Sequence, residues 1–570
     1  MDNCPHNSHF QNSGQKSDKL NYRPISLLPN LSKVFESVIH HRMLSHLTLN
    51  KLISDRQAAY LKGDSTISQL IYLHTIRNSW GQGNIAQGVF FDISSAFDKV
   101  WHKGLLAKLL QIRIEDTAFN LFQSYLSNRK QVVVVEGTKS ETLDVEAGVP
   151  QGSRLGPLLF IIFINDITHD LESEITIFAD DTTLLATGKD PNITAQMLNR
   201  DLLKISDWAA RWKVTFNAKK SKDMIFSSKN LNNSPPTVLN ETVIDRVSTH
   251  KHLGLILSSK LDWSPQINEV CLKANRKLAV LKSVKLLSRK TLDQLYKITV
   301  RSVIDYALPV YFKNIKLTDM ARLVRVQYNA AKVVSGALHH SSIEKLNKEL
   351  GLETIQNRAE YLGITFFHKV HLQETRPLIR KYMPAIKSDQ HELRSNGGYK
   401  KYPHYGVNFY NSFFPHFSKI WNSLPVKLRQ LNLIDFKQQV SSQFKPKRYK
   451  YYNKGSKIGN TLLTRIRLGR SFLNAHQFSI GATDNPHCVC LSVESSLHYT
   501  TECILYIPQR QQMYGLFEQF IPLFKNMTNK KKTEIILYGY KSDNDEYLYT
   551  NTKLTIAVQK FIIDSKRFTC

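Results

Sequence analysis

Ile175-Thr176-Ile177-Phe178-Ala179-Asp180-Asp181-Thr182-Thr183-Leu184-Leu185-Ala186 decides how this chain is read. Apolar side chains alternate before the acidic pair, at Ile175, Ile177 and Ala179, and after it, at Leu184 and Ala186. A period of two predicts two short strands joined around Asp180–Asp181. Adjacent carboxylates at the tip of a buried hairpin repel each other and lose hydration. A bound divalent cation removes that penalty. An exposed Asp-Asp turn is the plain alternative for the tetrapeptide alone.

Upstream, the apolar run Gly88–Phe91 ends on Asp92, and Phe97 lies five residues beyond it. Two strand ends bearing carboxylates, set side by side, suit two Mg²⁺ ions about 3.5–4 Å apart. One ion would activate a primer 3′-hydroxyl and the other would grip a triphosphate. Asp98 reads instead as a helix N-terminal residue favoured by the macrodipole. A helical pattern follows it, with Val100, Leu105, Leu106 and Leu109 on one side. Ala147-Gly148-Val149-Pro150-Gln151-Gly152-Ser153 then precedes an apolar helix, Leu155 to Asp166. Its glycines allow close approach of backbone to a ligand, and Gln151 offers a donor and an acceptor. Val132–Val135 and Thr142–Val145 read as a hairpin. A helical period runs from Tyr22 to about Leu49, through Leu31, Val34, Phe35, Val38, Ile39 and Leu44. Strand and helix patterns alternate to about residue 257, which indicates an α/β or α+β domain. Beyond 265 the patterns are helical and Lys-rich.

The chain has 570 residues, 77 Lys and Arg against 47 Asp and Glu, and a net charge of +30. That balance points to a polyanionic partner. With 42% hydrophobic residues, wholesale disorder is excluded. The longest apolar run, Leu155–Ile164, is far short of the ~20 residues that span a bilayer, so no membrane role is expected. Six cysteines are too few for a disulfide scaffold, and a reducing, intracellular compartment is expected. Half of them fall in Cys488-x-Cys490-x₇-His498-x₄-Cys503. Three thiols and an imidazole suit one tetrahedral, structural Zn²⁺, with His498 and Cys503 about one helical turn apart. The Cys-x-Cys pair is tighter than the usual knuckle.

Phe91-Asp92-Ile93-Ser94-Ser95-Ala96-Phe97-Asp98, Gly148 to Phe160 and Phe178-Ala179-Asp180-Asp181, in that order, resemble the palm of non-LTR (LINE-type, jockey-like) retrotransposon reverse transcriptases. Four further blocks are similar: Asn21 to Pro29, Gln57 to Thr66, Asn217-Ala218-Lys219-Lys220-Ser221 and His252-Leu253-Gly254-Leu255. Looser likeness continues through Ser412–Pro415, Trp421–Pro425 and Arg465–Ser471. The resemblance implies an RNA-directed DNA polymerase using Mg²⁺, or Mn²⁺ in its place, with an RNA template, a DNA primer or target and dNTPs, in nucleus and cytoplasm. Asp92, Asp180 and Asp181 would carry the metals. Phe97 would exclude a 2′-hydroxyl, and Gln151 and Gly152 would line the nucleotide pocket. Lys220 would protonate pyrophosphate, and Arg23 would face the triphosphate; a solvated cation is the plain alternative for each.

The expected fold is α+β: a right-hand polymerase (fingers and palm) over 1–257, then a mainly α-helical thumb over 258–384. A linker with a basic aromatic segment would cover 385–460, and a C-terminal region with the zinc element 461–570. Residues 445–457 interleave cations with aromatics and could clamp single-stranded RNA or be a solvated linker. The family's N-terminal endonuclease has no room before the palm motifs. The acidic group at Asp543, Asp545 and Glu546 lacks the framing of a C-terminal nuclease. A nuclease-free, truncated or split copy is therefore expected, and a folded but inactive RNA-binding protein is the alternative function.

Overall fold

The computed structural model describes residues 4–10 and 22–568, apart from 62, 71–72, 136, 230–233, 376, 387–397, 404–405, 447–448 and 541–546. The side chains of 4–10, 22–24 and 135 also lie outside the described set, as does the acidic group at 543–546. The chain divides into two compact units, Met1–Pro265 with Phe366–Val426, and Gln266–Thr365 with Lys427–Cys570.

The first unit mixes α and β structure. Its central sheet runs Asp245–Arg246, Lys222–Phe226, Ile85–Phe91, Asp181–Gly188, Glu174–Phe178. All neighbours are antiparallel except the first pair. Ile85–Phe91 is buried throughout, which fits its position as the middle strand. Helix Leu155–Ile164 buries nine of its ten residues. A helix apolar all round can only sit inside a core. Helix Pro191–Trp212 starts where the Asp190 carboxylate accepts from the N–H groups of Asn192 and Ile193, at 2.8 and 3.1 Å. It packs Leu198, Leu202 and Ile205 inward. A second sheet joins Tyr22–Ser26, Cys4–Phe10, Lys130–Val135, Thr138–Lys139 and Leu143–Asp144, and contains the expected hairpin.

The stretch from Tyr22 to Leu49 departs from its sequence pattern. Tyr22–Ser26 is a strand, and the helix covers Asn30–Leu49. Its apolar pattern divides: Leu31, Val34, Phe35 and Val38 are 81, 62, 53 and 51% exposed, whereas Ile39 and Leu44 pack against the core beside buried Met43 and Leu47. Glu36 is fully buried. It accepts from the Tyr125 hydroxyl at 3.1 Å and the Arg154 N–H at 2.6 Å. A buried carboxylate without such donors would be strongly penalised, so Glu36 lies on the same inward side as Met43 and Leu47.

The expected linker over 385–460 is largely helical. Phe413–Ser423 buries Phe413, Phe414, Phe417 and Trp421, and Leu433–Phe444 buries Phe436 and Val440. The segment Phe366–Val426 returns to the sheet unit, so the boundaries drawn at 257, 384 and 460 do not match the compact units. Glu174, on the edge strand, draws it in. Its carboxylate accepts from the Tyr382 hydroxyl at 2.8 Å and is also paired with Lys381. His74 lies in the same contact, its ring 5.3–5.8 Å from those of Tyr382, Tyr402, Phe409 and Phe414. Burial pushes the His74 imidazole down to about 4. Unfolded, it titrates near 6.5. Between those values the unfolded chain binds the extra proton. The contribution is therefore complete above about 6.5 and lost as the pH falls towards 4. Acidification from pH 7 to 4.5 should cost this unit about 2–3 kcal/mol through His74. His74→Phe should flatten that part of the acid profile, and identical profiles for both proteins would refute the assignment.

The second unit is helical. Its interior includes Glu349, which holds Arg289 at 3.1 Å and Arg467 at 3.2 Å, both buried. Tyr451 and Tyr452 are buried, and the Arg467 guanidinium sits 3.7 Å from the Tyr452 ring centroid. The aromatics at 451–452 are thus spent on packing, which removes them as a stacking surface for RNA. Among the described residues, no helix is long and apolar enough to cross a membrane.

Candidate functional site

Strand register brings the acidic residues together. Phe178 pairs with Asp181, leaving Ala179 and Asp180 as a two-residue turn. Phe91 pairs with Thr182, so Asp92 leaves the middle strand at the level of that turn. The pattern read from the sequence therefore becomes one acidic edge. Asp180 and Asp181 reach solvent, and Asp92 is half-buried. Surrounding protein, then Asp180 and Asp92, push the Asp181 carboxyl up to about 6. Burial also raises Asp92; the Lys220 ammonium opposes this and Asp180 adds to it. The three carboxylates are near enough to act on one another electrostatically, a repulsion that a hard divalent cation would relieve, but their oxygens do not converge on one point as the Cys/His ligands do.

A tight turn places Lys220. The Asn217 N–H donates to the Asp92 carbonyl at 2.8 Å. The Asp92 N–H donates to the Ser221 hydroxyl at 3.3 Å, and that hydroxyl donates to the Asn217 carbonyl at 2.9 Å. Lys220 projects from this turn with Nζ 3.9 Å from Asp92 Oδ2. Both side chains are well exposed, so the pair is worth little to stability.

The glycine-rich loop packs against the turn after Asp92. The Gly148 N–H donates to the Val100 carbonyl and the Val149 N–H to the Phe97 carbonyl, both at 2.8 Å. Gly148 has φ +95°, and a Cβ there would lie 2.7 Å from the Asp98 carbonyl, so only glycine fits. The Gln151 amide donates to the Asp98 carboxylate at 2.8 Å. Asp98 is therefore a tie between loops, three residues short of helix His102–Gln111, and not a helix N-terminal residue. The Gln151 carbonyl accepts from the Ser26 N–H at 2.8 Å, and Gly152 adopts φ +110° beside Ser26. Half-buried Phe97 stacks on Phe160, with centroids 4.8 Å apart. Arg23 lies on the Tyr22–Ser26 strand, and its side chain lies outside the described residues.

Two residues near the acidic edge were not singled out from the sequence. Tyr60 is 56% exposed, with a left-handed φ of 58°. Burial and then the Asp180 charge raise its phenol. Gln57 is buried beside the Ala179 turn. Both lie in the Gln57–Thr66 block, but nothing in periodicity marks either.

The second cluster lies in the helical unit. Cys488, Cys490, His498 and Cys503 bring their ligand atoms within 4.8 Å of one another, and no other group of three or more does so among the described residues. Cys503 Sγ is 3.7 Å from Cys488 Sγ and 3.8 Å from Cys490 Sγ. A tetrahedral Zn²⁺ with bonds of about 2.3 Å requires S–S edges of about 3.8 Å. His498 Nε2 is 3.1 Å from Cys490 Sγ. The turn carrying His498 is not an ordinary helical one. His498–Glu502 is a π-helix, and the Cys503 N–H donates to the His498 carbonyl at 2.8 Å. An α-helix would point residues five apart in different directions, whereas this wider turn aligns them.

The reverse transcriptase (RNA-dependent DNA polymerase) family matches residues 14–257. The probable RNA-directed DNA polymerase from transposon X-element of Drosophila melanogaster is 29% identical over 344 residues, 59% of this chain and 38% of the relative. That from transposon BS of the same organism is 28% identical over 354 residues, with the same two shares. The RNA-directed DNA polymerase from mobile element jockey of Drosophila funebris is 30% identical over 341 residues, 57% of this chain and 36% of the relative. The chain thus spans under two-fifths of the length of these relatives. With its acidic edge formed inside the matched region, the segment 14–257 matches the reverse transcriptases, and the chain is similar to the jockey-like non-LTR retrotransposon polymerases.

Proposed function

We propose that this chain is an RNA-directed DNA polymerase with a right-hand arrangement of fingers, palm and helical thumb. The observation that carries the reading is the acidic edge itself: Asp92 beside the Asp180–Asp181 turn, with Asp181 pushed up to about 6 by burial and then by the Asp180 and Asp92 charges. Asp92, Asp180 and Asp181 are the residues that would hold two Mg²⁺ ions. When bound, the ions supply charge neutralisation for a primer 3′-oxygen and a leaving pyrophosphate. Lys220, 3.9 Å from Asp92, gives a proton to that pyrophosphate. Gln151 and Gly152 line the nucleotide pocket, and Arg23 faces the triphosphate. RNA template, DNA primer and dNTPs are the partners, held by phosphate contacts from a chain of net charge +30. The four Cys/His ligands hold one Zn²⁺ with a purely structural role, since protein fills every position.

Primer extension on poly(rA)/oligo(dT) tests the reading. Incorporation of dTTP that requires Mg²⁺ is expected, and no incorporation with a folded, RNA-bound protein would leave the inactive RNA-binding alternative. Phe97 is the proposed barrier to a 2′-hydroxyl. Its stack on Phe160 holds one face of the ring. Phe97→Ala should raise ribonucleotide use relative to deoxynucleotide use by about tenfold or more, the equivalent of one removed steric contact of about 1.4 kcal/mol. Unchanged discrimination would make Phe97 only a core aromatic.

A further inference from the structure

Gln57 occupies an unusual position beneath the acidic turn. The segment Arg56–Ala58 runs along the edge strand Glu174–Phe178 as an added parallel bridge. The Ile177 N–H donates to the Arg56 carbonyl at 2.9 Å, and the Ala58 N–H donates to the Ile177 carbonyl at 3.0 Å. The Gln57 side chain is fully buried. Its Oε1 accepts from the Ala59 N–H at 2.9 Å and from the Ala179 N–H at 3.3 Å. Each of those residues adjoins or holds a left-handed backbone. Ala179 has φ 58°, and Tyr60, next to Ala59, also has φ 58°. Neither is glycine, so both conformations are strained and need support from their surroundings. One oxygen supports both.

The other half of the same amide is unused. Gln57 Nε2 is buried with no hydrogen-bond partner. A buried unpaired donor weakens a fold, so stability alone does not explain this residue.

We propose that Gln57 is a positioning residue for the carboxylates. Its oxygen ties the Ala179 turn to the 57–60 segment, which fixes the geometry in which Asp180 and Asp181 meet a divalent cation and keeps Tyr60 beside Asp180. This role rests on the metal site proposed above. Replacement by an apolar side chain of equal length removes the accepting oxygen and the orphan nitrogen together. The Ala59 and Ala179 N–H groups then lose their acceptor, so the turn should loosen with a modest fall in global stability, partly offset by removal of the orphan nitrogen.

The test uses the full chain and Mn²⁺ alone, titrated by electron paramagnetic resonance, with hydrogen exchange and thermal melting in parallel. Gln57→Met should raise the Mn²⁺ dissociation constant about tenfold, the usual scale for a partner one step removed from a ligand. Amide exchange across 178–181 should accelerate, with template–primer affinity unchanged and melting temperature lowered by only about a few degrees. Gln57→Asn, which keeps an amide but withdraws its oxygen, should share the loss. Wild-type Mn²⁺ affinity in both variants, or a larger fall in melting temperature that tracks the lost affinity, would overturn the positioning role. Asp180→Asn separates the two levels. If it binds Mn²⁺ like the wild type, the metal site itself fails; if it alone loses Mn²⁺, only the role of Gln57 fails.

Discussion

Asp180→Asn should abolish primer extension, by about a thousandfold or more, and leave RNA affinity nearly unchanged. Asparagine preserves the size of the turn residue, so the pairing of Phe178 with Asp181 should persist. What it removes is one of three anionic donors at the acidic edge. A divalent cation supplies several kcal/mol of charge stabilisation to phosphoryl transfer, and each 1.36 kcal/mol is tenfold in rate. Affinity has a different origin. A chain with 77 Lys and Arg should bind RNA through phosphates, with a steep fall as salt rises. Extension assays and binding isotherms at two salt concentrations separate these effects. A mutant that loses binding and synthesis in equal measure would refute this division of labour.

Removal of zinc should have the second largest effect, and a wider one than the spacing of its ligands suggests. Cys488 and Cys503 are buried in one hydrophobic cluster with Leu463, Tyr499, Phe517 and Phe561. Burial pushes the Cys503 thiol up to about 12. An ion bound by these ligands would therefore stabilise helices Ile507–Phe520 and Tyr547–Asp564, not merely a short loop. The purified chain should contain about one zinc, and Cys503→Ser should lower that sharply. Structural zinc binding can contribute about 10 kcal/mol or more to folding, so EDTA should expose both helices to hydrogen exchange. The acidic edge in the other unit should keep its protection. A metal-free chain with these helices protected and three reactive thiols would exclude a zinc site.

Much of the acidic edge was legible in the residues. Alternation at Ile175, Ile177, Leu184 and Ala186 specifies a hairpin, because a strand presents every second side chain to one face. The Asp180–Asp181 tip follows directly. The apolar run Leu155–Ile164 could only be interior. The Cys/His spacing announced that these four side chains would converge, and their ligand atoms lie within 4.8 Å of one another.

Periodicity identifies an apolar stripe but not what the stripe meets. In the helix Asn30–Leu49 the apolar pattern runs through Leu31, Val34, Phe35, Val38, Ile39 and Leu44, yet only the last two meet the core, while Glu36 is buried with two hydrogen bonds. The donors, Tyr125 and Arg154, are about ninety and 120 residues away, beyond any local pattern. The same holds for the Gln151–Asp98 tie, for the return of Phe366–Val426 to Glu174, and for Gln57 under Ala179. The π-turn between His498 and Cys503 is likewise not visible in the spacing of the ligands. By itself the sequence determined the strands, the buried helix and the chemical identity of both clusters, since these depend on local alternation and residue type. Tertiary structure alone decided helix rotation, loop-to-loop ties and the support beneath the acidic turn. Those depend on single hydrogen bonds between residues far apart in the chain, whose strength comes from burial that only the folded protein provides.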